Sequence, residues 1–264
     1  MSLEWALGII LVGAMVVLAV AGTLLARRWV GVEVLKLNNE VAGFIYAVIG
    51  VVYAVLLGFS AIIVWEQYDR AKAVAEQEAN ELADLYRNAQ TFPDDVRREV
   101  ETRLRTYARL VIEKEWPAMV QRESSPEAWE AYNQLWRTYH QFQPKDEQAK
   151  TWYAQSLARL NQLGDQRRLR LLSSRSGGVP GVMWLVLLGA GTVTVGFSLL
   201  FGTKSATAQV LMTAGLAMTI ALVLLSIMAM QHPFAGITRV EPEAFEQFLD
   251  IFRVDSQAGF DQPR

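Results

Sequence analysis

The sequence predicts an all-α membrane protein: four transmembrane helices, with a helical soluble domain inserted between the second and the third. Four stretches without a charged side chain are each long enough to cross the ~30 Å hydrocarbon core of a bilayer as a helix. The long segment between the second and third stretches is instead rich in charge and in helix-forming residues. A large soluble protein is the alternative, but its buried helices would keep a polar stripe, which these stretches lack.

The uncharged stretches run from Trp5 to Ala26, Val41 to Trp65, Val182 to Gly202 and Val210 to Met230. A short connector containing Lys204 separates the last two, so they are predicted to form a tight helical hairpin. A cleavable signal peptide is the alternative for the first, because Ala19-Val20-Ala21 resembles a cleavage site. Arg27 and Arg28 follow that stretch and no Lys or Arg precedes it, which favours a retained transmembrane helix.

These stretches divide the chain into four segments. We assign residues 1–66 to transmembrane helices 1 and 2 with their connector, 67–178 to the soluble domain, 179–231 to transmembrane helices 3 and 4, and 232–264 to an amphipathic helix and tail. No Gly or Pro follows Trp65 for many residues, so the second helix is expected to leave the bilayer and continue. Disorder is predicted from about Asp255.

Proline marks the helix boundaries of the soluble domain. Phe92-Pro93 is expected to end the extended second helix, Trp116-Pro117 to bend or end the next, and Ser125-Pro126 to open the third. A last helix starts near Asp146 and ends in the Ser- and Gly-rich segment 173–178.

Composition argues against an enzyme and against a nucleic-acid partner. The segment from Glu66 to Pro180 holds 18 Lys plus Arg and 18 Asp plus Glu, so it presents no basic excess. The chain has no cysteine, and its two histidines, His140 and His232, are far apart in sequence, which leaves little for an activated nucleophile or a metal. We predict no catalytic residue, no cofactor and no metal site.

Four carboxylates lie close together on the extended second helix: Glu76, Glu78, Glu81 and Asp84. A solvent-exposed face paired with nearby arginines is the favoured interpretation, and a cation site is the alternative.

Positive charge near the helix ends predicts a cytosolic domain. Four spans place both termini and the domain on one side of the membrane and the two short connectors on the other. Seven Lys or Arg residues lie near helix ends on the domain side: Arg70, Lys72, Arg167, Arg168, Arg170, Arg175 and Arg239. The connectors carry four: Arg27, Arg28, Lys36 and Lys204.

One face of the second transmembrane helix is the candidate pore lining. Its members follow one another at helical spacing: Val51, Val55, Phe59 and Ile62 or Ile63. Gly50 and Gly58 would permit close packing of helices. Several subunits that point this face at a common axis would form a narrow apolar ring, which gates by dewetting and does not select by charge. Contact with lipid or with the protein core is the alternative, and spacing alone favours it.

The segment His232-Pro233-Phe234 lies where the fourth helix leaves the membrane. Pro233 is expected to end that helix, Phe234 to anchor it at the interface, and His232 to meet water. A role for His232 in gating or protonation is the alternative.

Several short motifs are spread along the chain: Leu56-Leu57-Gly58-Phe59, Trp65-Glu66-Gln67-Tyr68, Glu78-Ala79-Asn80 with Leu85-Tyr86, Glu115-Trp116-Pro117, and His232-Pro233-Phe234-Ala235-Gly236. Together they resemble the bestrophin-like domain family of bacterial membrane proteins, over roughly residues 35 to 250. That family is similar to bestrophins, which are pentameric anion channels with four spans, a cytosolic helical domain between spans two and three, and a pore lined by span two.

The resemblance implies a homo-oligomer, by analogy a pentamer, in the lipid bilayer of a bacterial inner membrane, with an anion as the permeating ion. It implies that Phe59 lies at the pore constriction, with Val55 and Val51 one and two turns before it. Animal bestrophins follow an Asn-Pro-Phe-Gly motif with calcium-binding carboxylates. Here only Pro233-Phe234 matches and residues 235–239 hold no carboxylate, so no calcium site is predicted.

The sequence thus indicates an oligomeric ion channel or channel-like membrane protein. A non-conducting membrane scaffold or sensor, whose soluble helices bind a protein partner, is the alternative.

Overall fold

The computed structural model describes residues 3–37, 39–236 and 238–258. These residues form helices and no β-strand, as the sequence predicts. In chain order the helices are α1 (Leu3–Trp29), α2 (Val32–Leu37), α3 (Asn39–Ala89), α4 (Asp94–Leu110), a π-helical segment (Val111–Glu115), α5 (Trp116–Val120), α6 (Pro126–Gln141), α7 (Glu147–Arg175), α8 (Gly181–Ser198), α9 (Ala206–Met230) and α10 (Glu243–Ala258). Helices α1, α3, α8 and α9 are long and apolar enough to cross a membrane, which confirms the prediction of four such helices.

The chain divides into two compact units. Unit 1 comprises Met1–Glu66 and Gly178–Gln231, and so contains α1, α2, the first part of α3, α8 and α9. Unit 2 comprises Gln67–Gly177 and His232–Arg264, and contains the rest of α3, α4 to α7 and α10. The predicted four-segment division, with its membrane and soluble parts, remains a prediction.

Unit 1 has a small apolar core and a large apolar exterior. Helix α1 packs mainly on α9, which also contacts α8. The buried core residues come from α3, α8 and α9: Tyr53, Leu57, Val64, Leu187, Ile220, Leu224 and Ile227. Many Leu, Ile and Val side chains on the same helices are exposed instead. Such an exterior is suited to lipid, because hydrocarbon solvates apolar side chains at no cost.

Polar side chains tie together the two connectors of unit 1. Asn39 Nδ2 donates to the carbonyl of Gly202 (2.9 Å), and the Gly202 N–H donates back to Asn39 Oδ1 (3.1 Å). Arg27 Nη1 donates to the carbonyl of Thr203 (3.0 Å) and to Oε1 of the buried Gln209 (2.5 Å). These bonds satisfy backbone groups that a helical hairpin would otherwise leave unpaired at its turn.

Helix α3 is continuous from Asn39 to Ala89, which confirms that the second apolar helix extends beyond its apolar part. Two other helix starts are capped by a local side chain. Ser125 Oγ accepts from the Ala128 N–H (3.1 Å) at the start of α6, and Asp146 Oδ1 accepts from the Ala149 N–H (2.7 Å) at the start of α7.

The C-terminal helix extends a few residues past the predicted start of the tail. Helix α10 begins at Glu243 and runs to Ala258, so it passes the predicted boundary near Asp255. The remainder of the predicted tail lies outside the described residues, as does Asn38 of the first connector.

Pro117 changes the helix type instead of ending the helix. It has no N–H to donate to the carbonyl of Glu113, and the π-helical segment directly before it accommodates that loss. The extra residue in this turn also shifts the buried stripe. A regular α-helix would bury residues 114 and 118 after Val111, whereas the structure buries Glu115, Trp116 and Met119.

Gly202 is the glycine on which the connector contact depends. A Cβ added there would lie 2.7 Å from the Leu35 Cβ and 2.8 Å from the Lys36 backbone nitrogen. Relieving these contacts would require the backbone of the connector to move. We expect Gly202→Ala to lower the free energy of unfolding by about 1–3 kcal/mol, measured by chemical unfolding of the purified protein in detergent. Gly181→Ala is the control, because a Cβ there meets no atom within 4 Å. Equal stability of the two variants would contradict this account.

Candidate functional site

The predicted pore-lining residues lie on one exposed face of α3. Their exposed fractions range from 49% to 64%: Val51, Val55, Phe59, Ile62 and Ile63. The opposite face is buried within unit 1, with exposed fractions of 1% to 8%: Tyr53, Leu57, Ser60 and Val64. On that buried face Ser60 Oγ donates to the Leu56 carbonyl of its own helix (2.8 Å). We name the exposed set the α3 apolar face.

The α3 apolar face has no partner among the described residues of unit 1 that would bury it. It contains no charged group, since α3 is uncharged from Val41 to Trp65. Such a surface can meet lipid or another copy of the chain, and its pore-lining role remains a prediction.

Unit 2 contains a buried ionic cluster centred on Arg170 of α7. Its guanidinium binds Glu78 of α3 through two hydrogen bonds, from Nε to Oε2 (2.7 Å) and from Nη2 to Oε1 (3.0 Å). The same Nη2 donates to Oε2 of Glu115 in the π-helical segment (2.7 Å), and Nη1 contacts the Met119 sulfur (2.8 Å). Both carboxylates and Arg170 are completely buried. One side chain thus joins three parts of the chain.

Two further residues, Tyr107 and Arg167, bind these carboxylates. We name the five residues together the Arg170 cluster: Glu78, Tyr107, Glu115, Arg167 and Arg170. Arg167 forms two hydrogen bonds with Glu115, one of them from Nε to Oε2 at 3.3 Å. Tyr107 Oη donates to Glu78 Oε1 (2.6 Å). The cluster therefore pairs two guanidiniums with two carboxylates, so its charges cancel within the buried volume.

The electrostatics of the cluster hold its groups in fixed protonation states. Burial alone would lower the pKa of Arg170, but the charge and hydrogen bonds of Glu78, followed by the charge of Glu115, raise it well above the usual value. Burial, then the charge of Glu78, raises the pKa of Tyr107 well above its usual value. Tyr107 stays protonated and remains a donor. Because each charge is satisfied internally, the cluster positions helices and offers no open site for a ligand.

Aromatic rings enclose the cluster on one side. The Arg170 guanidinium lies 5.2 Å from the ring centre of Trp116 and 5.7 Å from that of Phe245. Trp116 contacts Phe234 edge to face, with ring centres 5.6 Å apart, and its Nε1 donates to the Val240 carbonyl (3.0 Å). Phe234 is a buried core residue of unit 2, so the predicted interface anchor is wrong.

The structure corrects the interpretation of the four carboxylates. Glu78 is buried and paired with Arg170, so it does not belong to a solvent-exposed face. The pairing with arginine holds for Glu81 and Asp84, which both bind Arg159 at 3.3 Å. Position on α3 decides the difference, because Glu78 falls on the same helix face as the buried Ala71, Ala75 and Leu82.

The buried role of Arg167 and Arg170 was not predicted from the sequence, in which both residues counted only as positive charges near a helix end. A signal was present in their spacing. The buried positions of α7 follow one another three or four residues apart, and both arginines continue the series: Leu160, Leu163, Arg167 and Arg170. Arginine on an apolar stripe indicates a buried partner of opposite charge.

The remaining motif residues lie outside the Arg170 cluster. Trp65 and Glu66 are exposed on α3, and Asn80 and Pro117 are exposed in unit 2. Pro233 is buried and its carbonyl accepts from the Val240 N–H (2.7 Å); Gly236 is half-buried. Four motif residues, Glu78, Glu115, Trp116 and Phe234, are thus brought together, and their functional importance remains a prediction.

His232 is half-buried in unit 2. Burial, and to a smaller degree the charge of Arg122, lowers its pKa below the usual value. The side chain is therefore neutral near pH 7, and both the predicted contact with water and the alternative gating role remain predictions.

Removing Arg170 should leave two buried carboxylates without their shared partner. We expect Arg170→Met to lower the free energy of unfolding by about 3–5 kcal/mol, measured by chemical unfolding in detergent. Arg168→Met is the matched control on the same helix, because Arg168 is 64% exposed and its ion pair with Asp165 is solvated. That control should change stability by less than about 1 kcal/mol. Similar losses in both variants would contradict the role assigned to Arg170.

Comparisons with known proteins agree with this fold. The family model of the bestrophin-like domain matches residues 13–245. A bacterial bestrophin homologue from Klebsiella pneumoniae, solved with a single substitution, superposes with a TM-score of 0.69 at 12% identity, over 95% of this chain and 97% of that chain. A second substituted form gives 0.68 at 13% identity, over 92% and 98%. A structure described as a membrane protein gives 0.68 at 13% identity, over 92% and 97%.

No curated protein is significantly similar to the chain. At these low identities the solved structures show a shared fold alone, whereas the family model spans most of the chain. The resemblance noted from the sequence motifs is confirmed. With its four apolar helices and the bestrophin fold, this chain is a membrane protein that belongs to the bestrophin-like domain family.

Proposed function

We propose that this protein is a homo-oligomeric ion channel whose pore is lined by the α3 apolar face of each copy. The observation that carries the proposal is the contrast between the two faces of α3. One face supplies Tyr53, Leu57 and Val64 to the core of unit 1, while the other exposes about half or more of each apolar side chain. A pore axis shared by several copies would cover that second face.

The glycines of α3 support contact with other copies. An added Cβ at Gly50 or at Gly58 would meet no atom within 4 Å, so neither glycine serves close packing inside this chain. Glycine in the middle of a helix costs roughly 0.5–1 kcal/mol relative to alanine. Close approach of another helix is one way to offset that cost.

An apolar ring around the axis determines the kind of gate. Val51, Val55 and Phe59 carry no charge or hydrogen-bonding group, so a ring of them excludes water when narrow and conducts when widened. Such a gate does not choose between ions by charge. We propose an anion as the permeating ion. This part of the proposal rests on the analogy with bestrophins and not on the chemistry of the α3 residues.

Unit 2 is proposed to be a cytosolic helical domain, inserted between the second and third transmembrane helices of an inner-membrane protein. Its segment 67–178 is charged but nearly balanced, as a solvated vestibule wall requires. The Arg170 cluster joins α3 to α7 within it. We propose that the cluster stabilises this domain and takes no direct part in conduction.

The assembly is tested first by particle symmetry. Protein purified in detergent should form a ring of copies around a central axis, with five copies by analogy with bestrophins, when imaged by single-particle electron microscopy. A monodisperse single subunit would exclude the proposed pore, because one α3 apolar face cannot enclose an axis.

Conduction is tested in planar bilayers containing the purified protein. We expect ion currents, and we expect Phe59→Ala to increase the conductance or the open fraction, because a smaller side chain widens and hydrates an apolar constriction. Leu185→Ala is the control, since Leu185 is 73% exposed on α8 and does not belong to the α3 apolar face, and it should leave the currents unchanged. Rings without ion flux under any voltage would favour the scaffold or sensor alternative.

A further inference from the structure

Unit 1 contains a cavity of about 440 Å³ between α1, α8 and α9. Its wall is formed by apolar side chains and by small residues, among them Leu11, Met15, Ala19, Trp184, Gly196 and Ala221. None of the described residues in the wall is ionisable. The volume lies within the range of roughly 300–1,000 Å³ that is usual for small-molecule sites.

The few polar groups of the wall are already satisfied. The Thr192 hydroxyl donates to the Leu188 carbonyl of its own helix (2.8 Å), and the Trp184 indole Nε1 donates to Gln231 Oε1 (3.1 Å). The wall therefore has no side-chain donor left to hold a water molecule, and an apolar cavity of this kind excludes water. Its natural occupant is apolar.

The length of the cavity wall suits a chain of methylene groups. The wall runs along α8 from Trp184 to Leu199, the residue directly after the helix, and a helical rise of 1.5 Å per residue gives a length of about 22 Å. One leaflet of a bilayer has a hydrocarbon depth of about 15 Å, so the cavity is long enough for a whole acyl chain.

Contact with a helix of a second copy is the alternative way to cover this space, and the subunit number measured below distinguishes the two. The small residues keep the space open. At Gly196 an added Cβ would meet no atom within 4 Å, so this glycine does not serve close contact between helices. An empty cavity would forfeit dispersion contacts along its wall.

We propose that this cavity is a binding site for one acyl chain of a membrane phospholipid. Helices α1, α8 and α9 are all apolar enough to span a membrane, so the bilayer itself supplies the ligand to the open side of the cavity. The site lies on helices other than α3 and does not depend on the proposed pore. The acyl chain completes the packing of unit 1 between three helices that otherwise leave a gap.

Native mass spectrometry of the full-length protein, released from detergent, tests the proposal. The wild-type protein is expected to retain one phospholipid per chain, identified by its mass. Gly196→Leu fills the cavity with the protein's own side chain and should reduce the retained lipid about tenfold. Gly13→Leu is the matched control on α1, because an added Cβ at Gly13 also meets no atom and Gly13 does not line the cavity. It should retain lipid as the wild type does.

Three results would overturn the proposal. One is a wild-type protein that carries detergent but no phospholipid; another is equal lipid retention in Gly196→Leu and the control. The third is a changed subunit number in Gly196→Leu with no lipid in the wild type, which would assign the cavity to contacts between copies. If Gly196→Leu does not fold, Thr192→Phe fills the same cavity, and lipid retention is measured in that variant instead. Currents through Phe59→Ala are independent of all these results.

Discussion

Arg170 carries a full positive charge at a position from which water is excluded, and this burial is tolerable only because two carboxylates reach it. Glu78 comes from α3 and Glu115 from the π-helical segment, so the charge can be neutralised only when these elements and α7 are in place together. Breaking a buried ion pair costs far more than an exposed one. Partial assembly of unit 2 is therefore penalised, and the cluster selects one arrangement of its helices.

The two units differ in which side chains they bury. Unit 2 surrounds its ionic cluster with aromatic and aliphatic side chains, and the buried charges are satisfied by one another. Unit 1 leaves many large apolar side chains exposed and lines the cavity between α1, α8 and α9 with a mixture of large apolar and small residues. In hydrocarbon, exposed apolar side chains cost nothing, so packing in unit 1 depends on shape and on a few polar bonds at its connectors.

Local chemistry explains which features could be predicted. An uncharged stretch long enough to cross a bilayer is visible in the sequence itself, and so is the proline that cannot continue a regular helix. The four apolar helices, the extension of α3 and the starts of α6 and α7 were correct for this reason. The motifs were sufficient to indicate the family. The sequence also predicted that Val51, Val55 and Phe59 share one face of α3, because they follow one another at helical spacing.

The sequence by itself therefore determined the helices, their apolar character and the family. Only the tertiary structure decided that Glu78, Arg170 and Phe234 lie inside unit 2, because their partners are distant in the chain. Glu78 is 92 residues from Arg170, and the environment of a charge depends on what packs around it, not on its own neighbours in sequence. The same holds for the π-helical segment, whose extra residue turns Glu115 and Trp116 toward that core.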